Sequence, residues 1–185
     1  RSSVIGGQGA VDGSQDPCAV WCPPVAYRLG MDIPALEDPR LAELDHTVVQ
    51  HGRVGSLDEA AALRGVEPSA ILKTIVVRRG EDDYVFVLVP GDRVIDWPLL
   101  REVLEERRLS MPEADEAFDV TGYVRGTITP FGATRSLPVI ADDGAATGMV
   151  SIGGGAHGAS LTVDGAQLVA VLDATVAPVT KPRRD

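Results

Sequence analysis

Apolar positions along this chain change period several times, and each change marks an element. The residues just before Lys73, Ala70-Ile71-Leu72, read as the end of a helical turn, and Ile75-Val76-Val77 after it read as a buried strand. A second β-branched and aromatic run at 84–89 pairs with 73–79 as a hairpin across Gly80-Glu81-Asp82-Asp83. Further strands are expected at 47–51, 137–141, 148–152 and 159–163.

Helical spacing alternates with these runs. A short helix is expected at 39–44. Ser56-Leu57-Asp58-Glu59 forms a capping box, with Ser56 as N-cap and Glu59 reaching back. That helix carries Ala60, Ala61 and Leu63 and stops at Gly65, a residue suited to the left-handed C′ position. Pro68 opens a turn of helix that delivers Lys73. Asp96 caps a helix whose Leu99, Leu100, Val103 and Leu104 form a core-facing stripe. Shorter helices follow at 112–117 and 165–172. Strands in the middle with helices around them imply a mixed α/β domain with one sheet. No internal repeat and no second domain is evident.

Composition narrows the class. The chain has 185 residues, 44% of them hydrophobic, enough for one domain with a real core. No apolar run approaches the ~20 residues of a membrane span, and no secretory signal pattern opens the chain. A soluble, cytoplasmic protein is the expectation, with neither a membrane nor DNA as partner. The net charge of −10 argues against general nucleic-acid binding, which rests on phosphate contacts. Arg78, Arg79, Arg101, Arg107, Arg108, Arg125 and Arg135 either form a local patch or balance carboxylates on a solvated surface.

Residues 1–30 hold both cysteines, Cys18 and Cys22, and end in Pro23-Pro24, then a short stretch to Met31. They read as an extension or tag-like segment, with Met31 like a natural start and residues 31–185 as the functional domain. A disulfide-dependent fold is not expected. Cys18, Cys22, His46 and His51 supply zinc-ligand types, but the long gap and the strand-like His pair argue against a site. No metal or cofactor is expected.

Two features carry candidate chemistry. Lys73 is a cation in apolar company, and lysine is seldom fully buried unless paired. It either snorkels to water or faces an anionic ligand in a cleft. The segment Gly126-Thr127-Ile128-Thr129-Pro130-Phe131-Gly132 is either an ordinary connection or a loop that brings backbone N–H groups close to a ligand. Asp142 reads as a ligand-side carboxylate or as a turn residue of Asp142-Asp143-Gly144, and Phe131 as pocket lining or packing.

Lys73-Thr74, Thr121-Gly122-Tyr123, Gly126-x-x-x-Pro130-x-Gly132, Leu137-Pro138, Asp142 and Gly154-Gly155 occur in one order and spacing that resembles the YbaK/EbsC family of aminoacyl-tRNA deacylases. The same fold occurs as the editing domain of bacterial prolyl-tRNA synthetases. The resemblance covers about residues 40–180, with Gly126-Thr127 where a Gly-Gly is often found. It implies a strongly curved, barrel-like mixed sheet with surrounding helices. It implies trans-editing hydrolysis of a mischarged aminoacyl-tRNA, such as Cys-tRNA(Pro) or Ala-tRNA(Pro), by a free-standing member. The partners would be the tRNA 3′ acceptor end and prolyl-tRNA synthetase. By the same resemblance Lys73, Gly126 and Pro130 are the catalytic candidates. Thr121, Gly122, Thr129, Phe131, Gly132, Asp142, Gly154 and Gly155 are the substrate-binding candidates.

The residues fit chemistry without a covalent intermediate. Ser110, Ser136, Ser151 and Ser160 have no evident base, and no Gly-x-Ser-x-Gly elbow exists. His157 reads as a loop residue near the glycine-rich segment. An aminoacyl ester is already activated, so positioning a water and stabilising the developing oxyanion suffices. Loop N–H groups suit the second task, and Lys73 suits a phosphate or ribose contact. The resemblance further implies assistance by a ribose hydroxyl of the tRNA. The second reading is a non-catalytic module of the same fold that binds an aminoacyl-tRNA end or a synthetase.

Overall fold

The computed structural model describes residues 32–52 and 54–183. Residues 1–30 and Met31, with the cysteine half of the zinc question and the extension reading, lie outside the described residues. Along the chain run β1 (His46–Gln50), α1 (Leu57–Arg64), β2 (Ile71–Gly80), β3 (Asp83–Pro90), β4 (Arg93–Ile95) and α2 (Trp97–Leu104). They are followed by α3 (Ala114–Thr121), β5 (Val139–Ala141), β6 (Met149–Gly153), β7 (Ala159–Asp164), α4 (Gly165–Val171), β8 (Thr175–Val176) and β9 (Thr180–Pro182).

Seven strands form one mixed sheet in the order β1-β7-β6-β2-β3-β5-β8, and β4 pairs with β9 beside it. The sheet is open, which corrects the barrel-like expectation. Closure would require β1 to pair with β8, and β8 is only two residues long. The β2–β3 hairpin is the longest ladder, with Lys73 opposite Val89 and Val77 opposite Val85. Its turn is tighter than expected: Gly80 pairs with Asp83, and Asp82 takes the left-handed conformation at φ 53°.

Strand alternation sorts β2 onto two cores. Leu72 and Val76 join Phe86, Leu88, Phe131, Ile152 and Leu161. Ile75 and Val77 face Val85, Val87, Ile95, Leu100 and Val179 under α2. Each large side chain so buried contributes about 1.5–3 kcal/mol. Ile71 forms a smaller cluster with Ala60 and Ala61 of α1.

The caps hold with local shifts. Ser56 Oγ accepts from Glu59 N–H at 3.1 Å, and Glu59 Oε2 accepts from Gly55 N–H at 2.7 Å rather than from Ser56. Gly65 ends α1 at φ 66°. In α2, Leu100 is buried while Leu99 is 38% exposed, because one residue of helix rotates it off the core stripe. The segment expected at 39–44 is a 3₁₀ turn, Pro39–Glu43. The helix expected at 112–117 forms as α3, because Glu113 is still extended (φ −64°, ψ 163°) and the chain stops only at Gly122, φ 76°. Among the described residues no helix is long and apolar enough to cross a membrane.

Candidate substrate crevice at the β2–β6 split

β2 and β6 run parallel but pair only through Ile71 with Ser151 and Leu72 with Ile152. Beyond those residues the two strands part. Diverging parallel neighbours leave a crevice at the strand ends, a common ligand position in α/β proteins. The loop 126–132 lies against this split. A Cβ placed on Gly153 would sit 3.6 Å from Ile128 O and 3.8 Å from Thr127 O.

The crevice holds about 580 Å³ and is lined by Gly126, Thr127, Gly153, His51, Arg64 and His157 among others. On the other side of Gly126 a recess of about 410 Å³ is lined by Thr74, Val76, Met111, Ala117, Arg125 and Ile128. Gly126 therefore lines both spaces. Its φ of 94° lies where glycine is at ease and other residues are strained.

Arg64, at the last turn of α1, brings the crevice its cation. Its Nε donates to His51 Nε2 at 3.3 Å. A guanidinium only donates, so His51 Nε2 accepts and Nδ1 carries the proton, which it donates to Gly52 O at 2.8 Å. Burial pulls the Arg64 pKa below its ordinary value. His157 borders Gly126: its Cε1 would lie 3.8 Å from a Cβ placed there.

Lys73 is the first residue of β2 past the pairing with β6, next to Gly153 across the split. Its side chain lies on the Ile75 and Val77 face, away from the face that packs Phe131. Its Nζ donates to Gly91 O at 2.9 Å and to Arg93 O. An ammonium has three donors, so one remains. Burial lowers the Lys73 pKa and Arg183 adds to that effect, while Asp92 opposes it. Lys73 thus flanks the crevice without lining it.

The loop is divided in its loyalties. Its second half is tied to the body: Gly132 N–H donates to Asp38 Oδ2 at 2.7 Å, and Arg40 Nη2 donates to Pro130 O at 2.7 Å and to Asp38. Burial alone would raise the Asp38 pKa, but the hydrogen bonds from Arg40 and Gly132 outweigh it and hold the carboxyl below its usual value. Phe131 is fully buried, with Arg40 over its ring at 5.7 Å and its carbonyl accepting from Tyr123 O–H at 2.7 Å. In the first half Thr127 N–H and Oγ1 both reach Val124 O. The N–H groups of Gly126, Ile128 and Thr129 have no acceptor among the described residues. Thr129 Oγ1 is buried and likewise unpaired.

The other candidate residues fall elsewhere. Thr121 is 1% exposed, its hydroxyl bonded to Ala117 O at 2.7 Å, and Gly122 caps α3. Gly154 accepts from Ala35 N–H, and Gly155, at φ 88°, packs on the Tyr123 ring. Asp142 is buried, accepts from Thr180 Oγ1 at 2.7 Å and caps the 3₁₀ turn Asp143–Ala146. Of the eleven residues expected from the resemblance, only Gly126 lines the crevice. Lys73 and the other nine are not among its lining residues.

Sequence reasoning weighed His51 only as a zinc-ligand type, did not single out Arg64 and read His157 as a loop residue. An arginine in the last turn of a helix looks like a dipole partner, so no signal marked Arg64. A polarity signal did exist for two hydroxyls: Ser151 and Thr162 face each other across β6 and β7, buried and unpaired. The buried Thr74 Oγ1 is unpaired too among the described residues. Ser160 Oγ donates to Val49 O, and Ser110 accepts from Arg78, so neither meets a base. His46 Nδ1 pairs with Leu44 O. Among the described residues no cluster of His, Cys, Asp or Glu is arranged to hold a metal.

Comparisons with known proteins place this geometry. The family described as "Aminoacyl-tRNA editing domain" matches residues 51–171, a span that includes α1, the split and the loop. The proline–tRNA ligase of Thermosipho melanesiensis is 32% identical over 108 residues, 58% of this chain but 18% of the ligase. The chain thus spans less than a fifth of that relative's length. The Enterococcus faecalis protein named "Putative Cys-tRNA(Pro)/Cys-tRNA(Cys) deacylase EbsC" is 21% identical over 126 residues, 68% of this chain and 77% of that one. A crystal structure of "a putative trans-editing enzyme for prolyl tRNA synthetase" shares the fold, with a TM-score of 0.71 and 24% identity over 82% of this chain and 99% of that one. The chain belongs to the aminoacyl-tRNA editing domain family.

Proposed function

We propose that this domain hydrolyses the ester joining a wrong amino acid to the 3′-terminal adenosine of a tRNA. Cys-tRNA(Pro) and Ala-tRNA(Pro) are the first substrates to test. The observation that carries the reading is Gly126, a left-handed glycine that lines both the crevice and the recess. The amino acid side chain enters the recess beside Thr74, Val76, Ala117 and Ile128. The ester carbonyl sits at Gly126, where the N–H groups of 126 and 128, unpaired among the described residues, serve its developing negative charge. The adenosine end lies along His51, Arg64 and His157.

A water adds to the carbonyl, and the bond from carbonyl carbon to ribose oxygen breaks. That oxygen takes a proton, releasing the free amino acid and an intact 3′ end. No serine or cysteine is required. The neighbouring ribose hydroxyl assists, as the family resemblance implies. Lys73, with one donor beyond those given to Gly91 O and Arg93 O, positions the acceptor end. The recess selects by size, where one methylene is worth about 1–3 kcal/mol. Prolyl-tRNA synthetase is the proposed partner and the cytoplasm the proposed location.

A second reading, a binding module without turnover, draws on one fact: the Lys73 ammonium is already engaged by Gly91 and Arg93 carbonyls. Single-turnover deacylation assays on a panel of mischarged tRNAs separate the two. Release of amino acid from at least one member supports hydrolysis, and protection of the ester by bound protein supports the module.

A further inference from the structure

Five arginines of this acidic chain gather in one groove. Arg78 and Arg79 from the far end of β2 meet Arg101 of α2 and Arg107 and Arg108 of the segment after it. The groove holds about 840 Å³ and contains three carboxylates, Glu81, Asp82 and Glu116. Ion pairs take two of the five arginines and two of these three carboxylates. Arg78 pairs with Glu116 at 3.1 Å, Arg79 pairs with Asp83 at 2.7 Å, and Asp82 is taken by Arg135 at 2.6 Å. Among the described residues Arg101, Arg107 and Arg108 have no ion-pair partner, and Arg107 and Arg108 are exposed.

The groove is also placed to serve the crevice. The recess uses Thr74 to Val76 of β2 and Met111 to Ala114, and the groove uses Arg78 to Gly80 and Arg107 to Ser110. The two are stitched by backbone hydrogen bonds between Arg78 and Ser110, at 2.8 and 3.1 Å. At roughly 3.3 Å per strand residue, Arg78 stands about 13 Å beyond Thr74. That is about four stacked nucleotide steps at roughly 3.4 Å each. An RNA whose terminal adenosine lies in the crevice therefore reaches the arginines by folding back over the recess, a span of that length.

We propose that this groove binds the phosphate backbone of the acceptor end, upstream of the terminal adenosine, and so anchors an RNA on a protein of net charge −10. The guanidinium fork matches phosphate oxygens two at a time, which favours a polyanion over an isolated charge. The proposal rests on the editing function in naming tRNA as ligand, but its test does not need turnover. Uncharged tRNA is titrated against the wild-type chain and the triple variant R101S/R107S/R108S at several salt concentrations, by fluorescence anisotropy.

Wild type is expected to bind with a log–log salt slope that the variant lowers by about two, each lost single-strand contact contributing roughly 0.7. Affinity at low salt should fall at least tenfold, with the melting temperature unchanged. Hydrolysis of a 3′-aminoacyl-adenosine, which has no upstream phosphates, should be equal in both proteins. Equal affinity and slope in both proteins overturn the groove assignment. So does absence of salt-dependent tRNA binding by wild type, including a groove that captures only an acidic protein. Failure of both proteins on 3′-aminoacyl-adenosine counts against the editing reading instead, and leaves the binding comparison to decide the groove.

Discussion

At the scale of single residues, Lys73 is held by geometry rather than by charge pairing. The carbonyls of Gly91 and Arg93 hold its Nζ, and one of its three donors remains. Lys73→Ala should lower kcat/KM for a mischarged tRNA about a hundredfold through lost positioning. Thermal melting should confirm that the variant folds, and an unchanged kcat/KM would remove Lys73 from the account. Gly155 makes the opposite point, a residue whose work is packing. Its φ is 88° and a Cβ would lie 2.8 Å from the Tyr123 ring. Gly148 has a similar φ of 67° with nothing within 4 Å. Gly155→Ala should therefore cost about 1–3 kcal/mol more than Gly148→Ala in urea unfolding. Equal losses would show that Tyr123 yields freely.

At the scale of elements, the loop 126–132 is a half-tethered arm. Asp38 holds its C-terminal end through Gly132 and Arg40, and the Gly126 end lies outside that tether. The Asp38 carboxyl is ionised more easily in the folded protein than in the unfolded chain. Its contribution is therefore present above the ordinary carboxylate pKa, about 4, and is lost as pH falls through the lowered folded value. Asp38→Asn should flatten the fall of melting temperature below about pH 4 and leave a lower plateau at neutral pH. A variant with the wild-type acid slope would show that Asp38 does not anchor the loop.

Much of this element layout was legible in the chain. The β-branched runs of β2 and β3, the Ser56 cap and the left-handed Gly65 each follow from local chemistry. What escaped was set by distant contacts. The destination of the Lys73 ammonium depends on carbonyls 18 and 20 residues onward. Arg64 meets His51 across 13 residues, and neither has a periodic signature. The open sheet depends on β8 being too short to close it, which no local pattern announces.

At the scale of the whole molecule, charge is segregated. An excess of carboxylates covers the chain, while unpaired arginines concentrate in the groove beside β2. On the proposed function, such an arrangement makes RNA binding local and strongly salt-dependent. It also sets an order of sites: crevice, Gly126, recess, then basic groove. The central claim is that an aminoacyl ester placed at Gly126 is hydrolysed there. Gly126→Val narrows the backbone at φ 94° and puts a branched side chain between crevice and recess, toward His157. The decisive measurement is single-turnover hydrolysis of Cys-tRNA(Pro) and Ala-tRNA(Pro) by wild type and Gly126→Val, with folding checked by melting. The account predicts release of amino acid from at least one substrate by wild type and a loss of about a hundredfold or more in the variant. A folded variant that hydrolyses as fast as wild type, or a wild-type chain that leaves both esters intact, would contradict it.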